Sequence, residues 1–178
     1  CSDAVYDAPF RRLKKLLGVE QQPGAGSTHP FESAELNEIY GYWLAKKGQR
    51  RMASRRDLDP TEIPRLLRNM MLIDVSRDPF RFGYRLIGTN VVDATGENRT
   101  GKDFDVVGFF SANPTIKQEY VTVATTGEPL HSFEPFYRLD TRREYDVERL
   151  LLPLSSDGVT VDMILVYFHF KTGAYSAH

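Results

Sequence analysis

Two hydrophobic rhythms divide the chain. From Ser33 onward, Leu36, Ile39, Tyr40, Trp43 and Leu44 recur at three- and four-residue steps, which predicts an amphipathic helix with Ser33 as N-cap and Gly48 as stop. Asp59, Pro60 and Glu62 form a second helix-start signature. Pro64 has no N–H to extend the ladder, so that helix must be short or kinked. Past Met70 the period drops to two. Met70 to Val75 is a short apolar strand, Arg77 to Pro79 a turn, and Phe80 to Ile87 a second strand. Strict alternation places Phe80, Phe82, Tyr84 and Leu86 on one face of it and Arg81 and Arg85 on the other. So short a turn makes the two strands antiparallel neighbours.

Asn90 to Gly101 is too broken for a long helix and suits one or two short turns. Asn113 and Pro114 start a longer helix that carries Ile116, Tyr120, Val123 and Ala124 on one face and ends at Gly127. Three strands follow, Leu130 to Leu139, Glu144 to Leu154 and Val159 to Phe170, the last two joined through Asp157-Gly158. Consecutive apolar residues at Leu150 to Leu154 and Met163 to Val166 place these strands in the middle of a sheet, covered on both faces. The fold class is therefore α+β: a five-stranded antiparallel sheet with helices packed across one face and an N-terminal helix. Residues 1–32 form a flexible lead-in, with two turns of basic amphipathic helix at Phe10 to Leu17 and a linker at 21–28. Residues 33–172 are the domain and 173–178 a tail.

Composition narrows the function classes. The 178 residues suffice for one domain with a real core. Lys plus Arg (23) against Asp plus Glu (24) gives a net charge of −1, which excludes a polyanion binder acting through bulk charge, so no nucleic-acid partner is expected. The longest apolar stretch, Met163 to Phe168, cannot span a bilayer, and a soluble protein without a membrane partner is expected. Cys1 has no partner for an internal disulfide. It reads as a trimmed or engineered end rather than a lipidated cysteine, since no signal segment is visible. His29, His131, His169 and His178 are scattered and share no metal spacing. No P-loop, dinucleotide fingerprint or nucleophile elbow is present, and no activated group has an orienting partner, so catalysis is not expected. Lys46, Lys47, Arg50, Arg51, Arg55, Arg56, Arg65 and Arg68 form a basic run opposed by Asp57, Asp59 and Glu62. Such a run is either a solvated face or a bidentate anchor for phosphate or an acidic partner.

Trp43, the segment Ser54 to Pro64, Phe82 to Thr89, and Glu148 to Leu154 with Asp157-Gly158 together resemble a bacterial, mostly alphaproteobacterial, family of small PAS-domain proteins. The resemblance spans roughly residues 34–170, and Gly96 and Gly101-Lys102 also follow the general PAS pattern. It implies a PAS fold and a sensory or regulatory module of signal transduction that binds a small molecule or a protein partner, with no catalytic residue to carry over. The helical crossing has neither a chromophore cysteine nor a haem-binding histidine, which argues against flavin and haem and leaves any cofactor unknown. Tyr84, Leu86, Phe104, Phe109 and Tyr120 are expected to line a ligand pocket or, equally, to fill a solid core. The stripe of Leu36, Ile39, Tyr40 and Trp43 is expected to form a homodimer interface. Two other classes stay open. One is a small α+β isomerase or hydratase using Asp162 and His169; the other is a binder of nucleotide second messengers at the basic run, centred on Arg55 and Arg56.

Overall fold

The computed structural model describes residues 30–105, 114–133, 136–138 and 143–171. The expected lead-in helix at 10–17, Phe109 and the tail at 173–178 lie outside the described residues. Helix α1 (Ala34–Lys47) is capped by Ser33, whose hydroxyl accepts from the Leu36 N–H at 3.3 Å, and it stops at Gly48, where φ is 56°. Three single-turn 3-10 segments follow, at Arg55–Asp57, Pro60–Glu62 and Leu67–Asn69. The first carries a capping box between Ser54 and Asp57. In the second, the Asp59 side chain accepts from the Thr61 N–H, and Pro64 ends the run as its chemistry requires.

The remaining elements are β1 (Met70–Ser76), β2 (Arg81–Ile87), α2 (Thr89–Thr95), α3 (Pro114–Thr126), β3 (Leu130–Ser132), β4 (Phe136–Arg138), β5 (Arg143–Tyr145), β6 (Val147–Leu154) and β7 (Met163–Phe170). Five of the strands form one antiparallel sheet in the order β2-β1-β7-β6-β3, with β7 at its centre between β1 and β6. All eight residues of β6 are buried, as its unbroken apolar run predicts. The two strands expected over 130–139 and 144–154 are each split. Their tips pair separately as β4 and β5, and the ladder breaks at Asp146, whose carbonyl accepts from the Lys171 N–H at 3.0 Å. β7 starts later than expected because the Asp157 carboxylate holds the N–H groups of Val159 and Thr160 at 2.8 and 2.7 Å in a turn of their own.

Register assigns each side chain a face. Ser132, Arg149 and Phe168 lie level on one face, with Leu151, Val166, Met71 and Ile73, and helix α3 covers them. His131, Leu150 and Tyr167 lie level on the other, with Glu148 and His169, and α1 covers that side through Glu35. The N-terminal helix therefore packs on the reverse of the sheet, opposite α3. Leu36, Ile39 and Trp43 are buried inside the monomer, and the Trp43 Nε1–H donates to the Pro153 carbonyl at 2.9 Å. These three cannot serve as a homodimer interface; the amphipathic stripe is satisfied by the chain's own sheet. Tyr40, half-buried, stacks on Trp43 and meets Phe31 edge-on.

A second correction concerns β2. Leu72 pairs with Leu86 and Ile73 with Tyr84, so Arg85 is an extra residue in a β-bulge. The bulge resets the alternation, and Leu86 is moved off the face of Phe82 and Tyr84 to 42% exposure. It does not line a pocket. Leu86→Ser should accordingly change stability by less than about 0.5 kcal/mol in chemical denaturation. Just beyond, the backbone at Gly88 runs against the turn before β1. An added Cβ would fall 2.4 Å from the Arg68 carbonyl oxygen, so this position admits only glycine.

Candidate functional site

The face beneath α3 carries an aromatic cluster and, beside it, a buried polar triad. Tyr84 comes from β2, Phe104 from the loop that pairs along the outer edge of β2, and Tyr120 from α3. The ring of Phe104 lies 4.7 Å from Tyr84, 5.0 Å from Tyr120 and 5.5 Å from Phe82 (centroid to centroid), spacings of close edge and tilted packing. Of the expected pocket residues, the fold thus gathers Tyr84, Phe104 and Tyr120. It turns Leu86 away, and it adds Phe82.

Burial drives the phenols of Tyr84 and Tyr120 well above the ordinary value of 10.0, with the Arg99 and Arg149 guanidiniums pulling the other way. Tyr167, on the reverse face, is raised by burial and by its hydrogen bond to Glu35. A raised phenol pKa favours the neutral form in the fold. The associated stability is complete below about pH 10, the unfolded value, and is lost as pH climbs towards the folded values. Tyrosinate absorbance should therefore lag for these three residues and appear only with cooperative alkaline unfolding.

The triad joins α3 to β6 and to the edge strand β3. Arg149 Nη2 donates to Glu119 Oε2 at 2.8 Å and to Ser132 Oγ at 3.1 Å, and Ser132 Oγ donates to Glu119 Oε1 at 2.5 Å. All three residues are buried. Inspection of the sequence for catalytic spacing passes over them, yet one signal was present: Glu148 and Arg149 are charges inside a strand that is otherwise apolar. Glu148 has its own partner on the reverse face, His131 Nε2 at 2.6 Å, and the His131 ring is flanked by Phe31 and Phe133. His131 and His169 are not neighbours, because β6 lies between their strands.

The other expected chemistry is not assembled. Asp162 precedes β7 and accepts from Ser156 N–H and Oγ, whereas His169 stands near the strand's far end beside Glu35, so the pair proposed for an isomerase or hydratase is separated by nearly the whole of β7. Much of the basic run is engaged. Lys46 pairs with Glu62 at 2.7 Å, Arg50 with Asp57 at 2.6 Å and Arg65 with Glu38 at 3.2 Å. Arg51 donates to the Thr126 carbonyl at the end of α3, a position that suits a cation, and Arg55 to Leu58. Asp57 sits below its usual carboxylate range because it accepts from the Ser54 N–H and from Arg50. Its role is a cap. Among the described residues no group of three or more His, Cys, Asp or Glu is placed to hold a metal, and no helix is long and apolar enough to cross a membrane.

A helix on the reverse of a five-stranded antiparallel sheet, with α3 on the other face, is the arrangement of a PAS domain. A family model described as PAS domain matches residues 31–168, and the chain belongs to that family. It is thereby a member of a class of sensory signalling domains, one not defined by catalysis. Nothing matches among curated proteins at a significant level. Similar solved structures include a Rhodobacter sphaeroides LOV protein (14% identity, 66% of this chain and 71% of that one, TM-score 0.47). An RNA-binding light-oxygen-voltage receptor is similar at 14% identity over 62% of this chain and 32% of its own, TM-score 0.47. The LOV domain of the blue-light photoreceptor aureochrome 1 is similar at 12% identity over 65% and 90%, TM-score 0.46.

Proposed function

We propose that the chain is a PAS-type sensory or regulatory module of bacterial signal transduction, acting in the cytoplasm, and that a small molecule is read on the face beneath α3. The residues assigned to that reading are Tyr84, Phe104 and Tyr120, with Arg149, Glu119 and Ser132 as the polar groups. One observation carries it: a charged pair is kept in the core where apolar side chains of equal volume would serve stability as well or better. A mainly aromatic wall with a few fixed polar groups is the usual composition of a small-molecule site. The bacterial and cytoplasmic placement rests on the family resemblance of Ser54 to Pro64 and Phe82 to Thr89.

A second reading is favoured by the ring spacings of 4.7–5.8 Å, which fit a filled core. In that case the module acts through a protein partner alone. Native mass spectrometry of protein purified without denaturant separates the two. Under the first reading the spectrum carries an added small-molecule mass that is absent after denaturation, and Arg149→Met combined with Glu119→Leu, which leaves no unpaired buried charge, removes it. A bare polypeptide mass from several expression hosts, with no thermal shift from added metabolites, selects the second.

A further inference from the structure

A cleft of about 400 Å³ opens on the reverse side of the molecule, lined by Glu35 and Glu38 of α1, Arg65, Arg68 and Asn69 of the turn before β1, Asn90 of α2, and the end of β7. Its floor is fixed. Asn69 Nδ2 donates to the Phe168 carbonyl at 2.8 Å, and Asn69 Oδ1 accepts from Asn90 Nδ2 at 2.7 Å, so both amides are oriented before anything binds. Leu66 and Phe170 supply the apolar part of the wall.

The charges are of both signs and equal in number. Arg65 is held by both oxygens of Glu38, each at 3.2 Å. Arg68 makes no ion pair among the described residues and is exposed beside the cleft. Glu35 accepts from the Tyr167 hydroxyl at 2.8 Å, and the same oxygen is 3.7 Å from His169 Nδ1. A polyphosphate would be repelled by two carboxylates and a polyamine by two guanidiniums. A ligand carrying one charge of each sign meets a partner for both.

We propose that this cleft binds a free amino acid, its carboxylate on Arg68 and the Asn69–Asn90 amides and its ammonium on Glu35. The site is separate from the face beneath α3, so its test does not depend on what that face holds. Its walls come from α1, from α2 and from the turn before β1 that α2 packs against, and a bound zwitterion would tie them together.

Isothermal titration of the full chain with each standard amino acid tests the proposal, together with N-acetyl and C-amide derivatives of any that binds and with inorganic phosphate. The expected result is saturable binding of at least one amino acid, weakened about ten-fold or more in Arg68→Gln and in Glu35→Gln, and lost when either the amino or the carboxyl group is blocked. Glutamine at position 35 retains an acceptor for Tyr167, and Arg68 is exposed, so both variants should keep the parent melting temperature. Absence of binding by every amino acid overturns the proposal. So does binding that survives both substitutions, equal binding of the blocked derivatives, or preferential binding of phosphate.

Discussion

Glu119→Ala should lower the unfolding free energy by about 3–5 kcal/mol, because it leaves the Arg149 guanidinium buried without its carboxylate, with only neutral hydroxyl groups such as that of Ser132 beside it. Against a domain stability of roughly 5–15 kcal/mol, that places the variant near the edge of folding. Removing both charges is a different experiment. Glu119→Leu combined with Arg149→Met exchanges a desolvated pair for apolar contact, and its denaturation midpoint should match or exceed the parent's. If the single substitution proves as mild as a surface change, the triad is wet in solution and the argument for a retained polar site fails with it.

Trp43→Ala should cost about 3–5 kcal/mol, the usual range for emptying a buried aromatic site, with the Pro153 carbonyl left unpaired as part of the loss. The gentler Trp43→Phe keeps most of the volume and removes the hydrogen bond, for a loss of about 1–2 kcal/mol. Light scattering on this second variant should return the parent's mass, whatever that mass is. A Trp43→Ala protein that kept the parent midpoint while changing its mass would restore an intermolecular role for the α1 stripe.

These two substitutions mark where reading the sequence succeeds and where it stops. The periods of Leu36 to Leu44 and of Met70 to Ile87, the caps at Ser33 and Asp59, and the apolar run from Leu150 to Leu154 were enough for the element order and the sheet. Periodicity reports that a stripe is apolar and is silent on what covers it. The face of α1 is therefore equally consistent with a second copy or with the chain's own sheet, and only the long-range meeting of Trp43 with Pro153 decides. Alternation likewise assumes an unbroken ladder, and no residue near Arg85 announces the bulge that turns Leu86 outward. The triad was legible only in part. Arg149 stands out in its strand, but Glu119 on a helix and Ser132 on a short strand become its partners through tertiary packing alone.

Adjacent positions on β6 send opposite charges to opposite sides, Glu148 to His131 and Arg149 to Glu119. A slip of β6 by a single residue would exchange those directions, setting a carboxylate against Glu119 under α3 and a guanidinium among the rings of Phe31 and Phe133. Most of the flanking leucines are indifferent to such a slip, since either side of the strand is greasy. The charge doublet thus acts as an alignment key. It penalises every mispaired sheet in which the hydrophobic segments alone would be content, and the folding chain has one way to satisfy it.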